Sequence, residues 1–303
     1  MKVIEIENIS KDYGNHKGVF DVSFFVEKGE VLGFLGPNGA GKTTTIRQLM
    51  GFIKPDKGSV KIAGMDCFQQ ASKIQSDLGY LPGEIAFMED MKGDEFIHFI
   101  AKMKGMKDFL RAEELMNFFE LDAKGKIKKM SKGMKQKIGI VCAFMQDSDI
   151  LILDEPTSGL DPLMQNKFVE LILSEKKKGK TILMSSHIFE EIEKTCDRAA
   201  IIRDGCIVSV ERIEKLKQQK QKKLIMSFQK EEEAKAFEDS VLLKQKEISK
   251  TRIHREGSVV TVHVTGNMDE YIKKMSLYEI KDLEIHTQTL EELFLHFYGG
   301  AGK

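Results

Sequence analysis

Gly36-Pro37-Asn38-Gly39-Ala40-Gly41-Lys42-Thr43-Thr44 has the skeleton GxxxxGKT, and the residues on either side give it a context. Before it, Val31–Leu35 is apolar throughout and too short for a helix, as a strand buried on both faces is. After it, Ile46–Met50 opens a helix. Glycines let the backbone turn tightly and aim successive N–H groups at an anion, and the helix N-terminus adds positive potential. Lys42 supplies a point charge for the β- and γ-phosphates, and the Thr43 hydroxyl is a Mg²⁺ ligand in such loops. A strand, this loop and a helix in that order predict a nucleoside-triphosphate site.

Other short apolar runs lie further along the chain: Asp149–Asp154, Thr181–Ser185 and Ala199–Arg203. With Glu30–Leu35 they predict a largely parallel sheet with both faces covered. Val3–Glu7 and Val19–Glu27 alternate apolar with polar and predict half-exposed antiparallel strands. Two hairpins are expected, one placing Gly58–Ala63 after a Pro55–Gly58 turn, the other turning at Asp204-Gly205. Ile97, Ile100 and Ala101, then Leu115, Phe118 and Phe119, recur at helical spacing and mark a helix-rich insert.

The run Ile150-Leu151-Ile152-Leu153-Asp154-Glu155-Pro156 is an apolar strand ending in two acids. Alternation along the strand lets Asp154 face a metal ion while Glu155 points toward an attacking water, which makes Glu155 the candidate general base.

Taken together with four further motifs, residues 1–215 resemble the nucleotide-binding domains of ABC transporters. Met130-Ser131-Lys132-Gly133-Met134, 23 residues before Asp154, is similar to the family's LSGGQ signature. Ser158-Gly159-Leu160-Asp161 resembles the D-loop, and Ser185-Ser186-His187 the switch histidine. Tyr13 matches the aromatic residue that stacks on adenine. The resemblance implies an α/β fold: a P-loop NTPase domain of ABC type, with an antiparallel β subdomain and a helical insert at about 84–135. It implies an ATPase with ATP and Mg²⁺ as ligands. Gly36, Pro37, Asn38, Gly39, Ala40, Gly41, Lys42, Thr43 and Thr44 would hold the phosphates. Thr43 and Asp154 would hold the metal, and Glu155 and His187 would serve the chemistry. Ser131, Gly133 and Asp161 would act across a dimer, homomeric or with a similar subunit. The implied partner is a separate integral membrane permease used for export, with the chain on the cytoplasmic, inner face of the membrane. Nucleic acid is not expected as a partner, although soluble ABC ATPases acting on DNA or ribosomes are the alternative.

Two positions depart from the family. Its usual glutamine after the strand Leu78–Pro82 is replaced by Gly83, followed by Glu84, and Lys132 stands at the first signature glycine. Glu84 as a substitute metal or water contact would repel the phosphates, so a plain loop residue is the preferred reading. Similar patterns occur in ATP-binding subunits of bacterial drug, bacteriocin and antibiotic exporters.

Bulk properties set limits on function. The 303 residues carry 47 basic and 47 acidic side chains, so net charge favours no anionic partner. The basic stretch from Lys124 to Lys137 lacks interleaved aromatics or arginines and reads as a solvated rim. Cys67, Cys142, Cys196 and Cys206 form no CxxC pair and are expected as reduced thiols. Met1–Ser10 lacks a signal-peptide layout, and no apolar run approaches the about 20 residues needed to cross a bilayer.

Residues 216–223 read as a charged, helical linker, 224–298 as a small α+β domain, and 299–303 as a tail. In the small domain, Lys223–Gln229, Ser258–Thr265 and Lys281–Thr287 are expected strands. Thr289 and Glu292 predict a capping box, with Leu290, Leu293, Phe294 and Phe297 on one face of the helix that follows.

Overall fold

Five runs of aliphatic residues in the first part of the chain do form a sheet with both faces covered. In the computed structural model, which describes residues 1–242, 252–264 and 268–293, they are β3 (Val31–Leu35), β6 (Leu78–Leu81), β7 (Ile150–Asp154), β8 (Thr181–Ser186) and β9 (Arg198–Arg203). The order is β10-β9-β3-β8-β7-β6, where β10 is Cys206–Arg212 and pairs antiparallel with β9. The other five strands pair in parallel. Every residue of β3 and β8 is buried. Helices supply the crossovers: α1 (Lys42–Leu49), α2 (Ala71–Asp77), α6 (Pro162–Lys177) and α7 (Phe189–Thr195).

A second sheet is antiparallel, ordered β2-β1-β4-β5 from β1 (Lys2–Asp12), β2 (Gly18–Glu27), β4 (Lys57–Ile62) and β5 (Met65–Asp66). Val3, Ile4, Ile6, Ile9, Val22 and Val26 share one core with Leu32 and Phe34 of the parallel sheet. The insert contains α3 (Gly93–Met103), α4 (Leu110–Phe118) and α5 (Lys132–Phe144), with Phe96, Ile97, Ala101, Leu115 and Phe119 buried. It is tied back to α6 by a buried ion network: Glu175, 1% exposed, lies 2.7 Å from Arg111, 2.8 Å from Lys178 and 2.9 Å from Lys180.

The first expected hairpin is corrected. No strand precedes the Pro55 turn, since α1 lies there; β4 instead pairs with β1, and Asp56 N–H donates to Ser10 O at 2.8 Å. The tight turn is Ala63-Gly64, which joins β4 to β5 with φ of 50° and 75°, the paired left-handed geometry that suits strand twist. The second hairpin is as expected, Asp204 and Gly205 having φ of 48° and 78°.

The chain divides into Met1–Ile213 and Glu214–Lys303. Residues 216–223 are helical over their first half, in α8 (Ile213–Gln219), and Lys222 already opens a strand. The second unit is a four-stranded antiparallel sheet, β12-β13-β11-β14, from β11 (Lys222–Phe228), β12 (Arg252–Glu256), β13 (Val259–Val264) and β14 (Ile280–Thr287). With α9 (Glu231–Leu242) and α10 (Asp269–Met275) it encloses Leu224, Met226, Phe228, Phe237 and Val262. The strand β12, Arg-Ile-His-Arg-Glu, was not foreseen because one apolar residue gives no alternation to read. Thr289 and Glu292 form the capping box reciprocally, at 2.9 and 3.1 Å, and Leu290 and Leu293 are buried. Phe294, Phe297 and the 299–303 tail lie outside the described residues.

Candidate functional site: a phosphate loop facing two carboxylates

The Gly36–Thr44 loop joins the end of β3 to α1. A Cβ on Gly36 would stand 2.4 Å from the Ile202 carbonyl oxygen, so only glycine fits against β9. Gly41, with φ 108°, caps α1 where a side chain would strike Val19. Lys42 is 5% exposed. Its ammonium donates to the carbonyls of Gly36 (2.6 Å) and Pro37 (3.2 Å) and lies 3.0 Å from Glu155 Oε1. It therefore stands on the concave side of its own loop, facing the end of β7.

Asp154 and Glu155 leave β7 in different directions because Glu155 adopts φ 49°. A non-glycine residue holds that conformation where its surroundings fix it. Here Glu155 N–H donates to Ser185 Oγ (2.9 Å), and Glu155 O accepts from Ser158 N–H (3.1 Å). Gln136 Nε2 donates to Pro156 O at 2.7 Å. The turn carries the Glu155 carboxylate to Lys42 on one side and to His187 on the other, where Nδ1 lies 2.6 Å from Oε2. A carboxylate accepts, so Nδ1 carries a proton in that contact. Asp154 is fully buried. Ser185 Oγ donates to its Oδ1 at 2.5 Å, while Oδ2 is buried without a hydrogen-bond partner.

A cavity of about 780 Å³ brings these groups together, lined among others by Asn38, Thr43, Tyr80, Gly83, Asp154, Glu155 and His187. A neighbouring cavity of about 860 Å³ is lined by Tyr13, Asn38, Gly39, Gly41, Lys42, Thr43 and Thr44, and also by Cys206. Tyr13 is 53% exposed there, so its ring is available to a planar ligand. Burial, and then the Asp154 charge, push the Tyr80 phenol up to about 12, so it stays protonated beside the carboxylate. Burial also raises the Glu191 carboxyl, which accepts from Ser186 Oγ at 2.8 Å; Ser186 in turn accepts Ile188 N–H at 2.9 Å, fixing the turn that carries His187.

Six predicted residues line neither cavity: Gly36, Pro37 and Ala40 of the loop itself, and Ser131, Gly133 and Asp161. Ser131 caps α5, accepting from Met134 N–H at 3.2 Å. Asp161 caps α6, accepting from Met164 N–H at 3.0 Å. Gly133 packs so near the neighbouring turn that a Cβ would sit 2.9 Å from Gly159 O. Lys132 reaches across the same contact and donates to Ser158 Oγ at 3.0 Å. Gly83 also has a steric meaning: a Cβ there would stand 3.1 Å from Asp154 Oδ2. Glu84 lines the cavity of about 780 Å³, and no contact marks a role of its own for it. Ser185 and Gln136 were missed as functional positions. Serine and glutamine carry no motif signal of their own, and only the β7–β8 register, Asp154 opposite Ser185, exposes the first.

A model of the ABC transporter family matches residues 19–158. The linearmycin resistance ATP-binding protein LnrL of Bacillus subtilis (strain 168) is 37% identical over 213 residues, 69% of this chain and 68% of that one. The bacitracin transport ATP-binding protein BcrA of Bacillus licheniformis is 33% identical across 99% of this chain and 98% of its own. The chain belongs to the ABC transporter ATP-binding subunits. A solved ATP-binding subunit of an ABC transporter superposes with a TM-score of 0.66 at 31% identity, covering 71% of this chain and 92% of that chain. A dimeric bacterial ABC transporter cassette, MJ0796, has a TM-score of 0.63 at 23% identity, a likeness of fold alone. This ABC subunit is thus a transport-associated ATPase that binds ATP, and the reading as an ATPase of DNA or ribosomes gives way. Among the described residues no helix is long and apolar enough to cross a membrane.

Proposed function

We propose that this ABC ATPase powers export of an antibiotic- or drug-class compound through a separate membrane permease, working as an ATP-closed dimer on the cytoplasmic face. The observation that carries the mechanism is the Glu155 carboxylate held between Lys42 and His187 at the mouth of the phosphate loop. The export reading is supported by a relative that matches over nearly the whole chain and is named for bacitracin transport.

ATP enters with its adenine against Tyr13 and its phosphates over the N–H groups of residues 36–44, where Lys42 exchanges Glu155 for phosphate oxygens. Glu155, released from Lys42 but still bonded to His187, orients a water and takes its proton for in-line attack on the γ-phosphorus. The γ-phosphoryl group passes to that water, and ADP leaves as the displaced group. The site suits Mg²⁺: Asp154 Oδ2 is buried without a partner, and Thr43 lines the same cavity. When bound, Mg²⁺ neutralises charge on the phosphate oxygens. Ser131 and Gly133, which line neither cavity of their own copy, meet the γ-phosphate of a second copy. The triphosphate thereby bridges two chains, and its hydrolysis releases them.

Glu155→Gln keeps the shape and removes the base. The variant is expected to elute as a stable dimer with ATP and Mg²⁺ in light-scattering chromatography, with phosphate release below about 1% of the parent rate. A monomer under those conditions would overturn the scheme. For export, cells carrying the chain together with its membrane permease should tolerate more bacitracin than cells in which the chain is Glu155→Gln, and equal tolerance would remove that assignment.

A further inference from the structure

We propose that Ser185 is a positioning residue for ATP hydrolysis, a single hydroxyl that sets both carboxylates at once; this deepens the reading of Asp154 and Glu155 given above. The strand register places Ser185 directly opposite Asp154, and the residue is fully buried, so its hydroxyl has no water to turn to. It has one proton and it gives that proton to Asp154 Oδ1 at 2.5 Å. Its lone pair receives the N–H of Glu155 at 2.9 Å.

The two bonds have separate consequences. The first engages one oxygen of Asp154 and fixes the carboxylate plane, which leaves the other oxygen, Oδ2, without a hydrogen-bond partner on a residue that lines the cavity. A cation then meets an oriented single oxygen rather than a rotating pair. The second bond satisfies the peptide N–H that the left-handed turn at Glu155 takes out of the ladder. That turn carries the Glu155 side chain to Lys42 and His187. Removing the hydroxyl frees the Asp154 carboxylate to rotate and leaves a buried N–H unpaired beneath the base. Ser186, one residue on, faces Glu191 and cannot take over either bond.

The test uses Ser185→Ala and Ser185→Cys in the full chain. Cysteine keeps nearly the volume of serine but is a weak donor, which separates hydrogen bonding from packing. Both variants are expected to lose about 10- to 100-fold in kcat with ATP KM changed less than about twofold. Binding of a fluorescent mant-ATP in EDTA should match the parent, while the tightening of that binding on adding Mg²⁺ should shrink. A parent-like kcat in Ser185→Cys overturns the proposal, as does a joint loss of kcat and of mant-ATP binding in EDTA. Glu155→Gln run alongside tells the two failures apart: if it is inactive while Ser185→Cys is active, only the role of Ser185 falls.

Discussion

Gly83 is one of the two positions at which the sequence departs from the family's motifs, and the structure predicts that filling it harms hydrolysis. An alanine Cβ would lie 3.1 Å from Asp154 Oδ2 and 3.3 Å from its Cγ, short of ordinary contact by roughly 0.3 Å. Asp154 cannot retreat, because it is fully buried at a strand end with its other oxygen 2.5 Å from Ser185. If about 1 Å of misplacement costs roughly 100-fold, 0.3 Å costs about fourfold, and the methyl group also screens the free oxygen. Gly83→Ala should therefore lower kcat by about 3- to 10-fold, leave ATP KM nearly unchanged, and raise the Mg²⁺ needed for half-maximal rate by a similar factor. Restoring the family's usual glutamine brings the same Cβ and should also lose activity. The assay is phosphate release at saturating ATP across a Mg²⁺ series, with a thermal melt to confirm folding. Parent-like kcat and Mg²⁺ dependence would mean that the loop yields rather than the carboxylate, and the steric account of Gly83 would be abandoned.

Glu175→Gln removes the buried charge that Arg111, Lys178 and Lys180 share, and should cost about 3 kcal/mol, or roughly 6–12 °C in melting temperature. Burial alone would raise the Glu175 carboxyl, but hydrogen bonds from Lys178 and Lys180 outweigh it and hold the group below its ordinary value. Its contribution is thus complete above about pH 4.5 and lost as the pH falls through the lowered value, so the gap between parent and variant should close in acid. A gap that persists unchanged to the acid limit of folding would contradict this. Burial pushes the thiols of Cys67, Cys142 and Cys196 up to about 12, whereas Cys206 is exposed in the cavity shared with the phosphate loop. Brief maleimide treatment at neutral pH should modify Cys206 first, and ATP should slow that reaction. Mass spectrometry showing equal labelling with and without ATP would exclude Cys206 from the nucleotide cavity.

The motif residues were legible because each serves local backbone physics as well as chemistry. Gly36 and Gly41 read as loop glycines, and each stands where a Cβ would collide. Asp154 and Glu155 read as a strand end, and Thr289 and Glu292 as a capping box, because these signals span a few residues. The Pro55 turn misled for the opposite reason. Proline marks a turn but does not say which strand β4 will join, and β1, some fifty residues earlier in the chain, proved to be the partner. In the same way Arg252–Glu256 becomes a strand only because β13 offers it a ladder.

Sequence alone determined the parallel sheet, the glycine-rich loop between β3 and α1 and the pair of acids at the end of β7, since buried-strand composition and glycine sterics act over short stretches. Only the tertiary structure decided how those acids are held. The register of β7 on β8 sets Ser185 against Asp154, the left-handed turn carries Glu155 to Lys42 and His187, and close packing brings Gly83 to the free oxygen of Asp154. These are contacts between residues tens to more than a hundred positions apart, and no local pattern in the chain encodes their ångström-scale geometry.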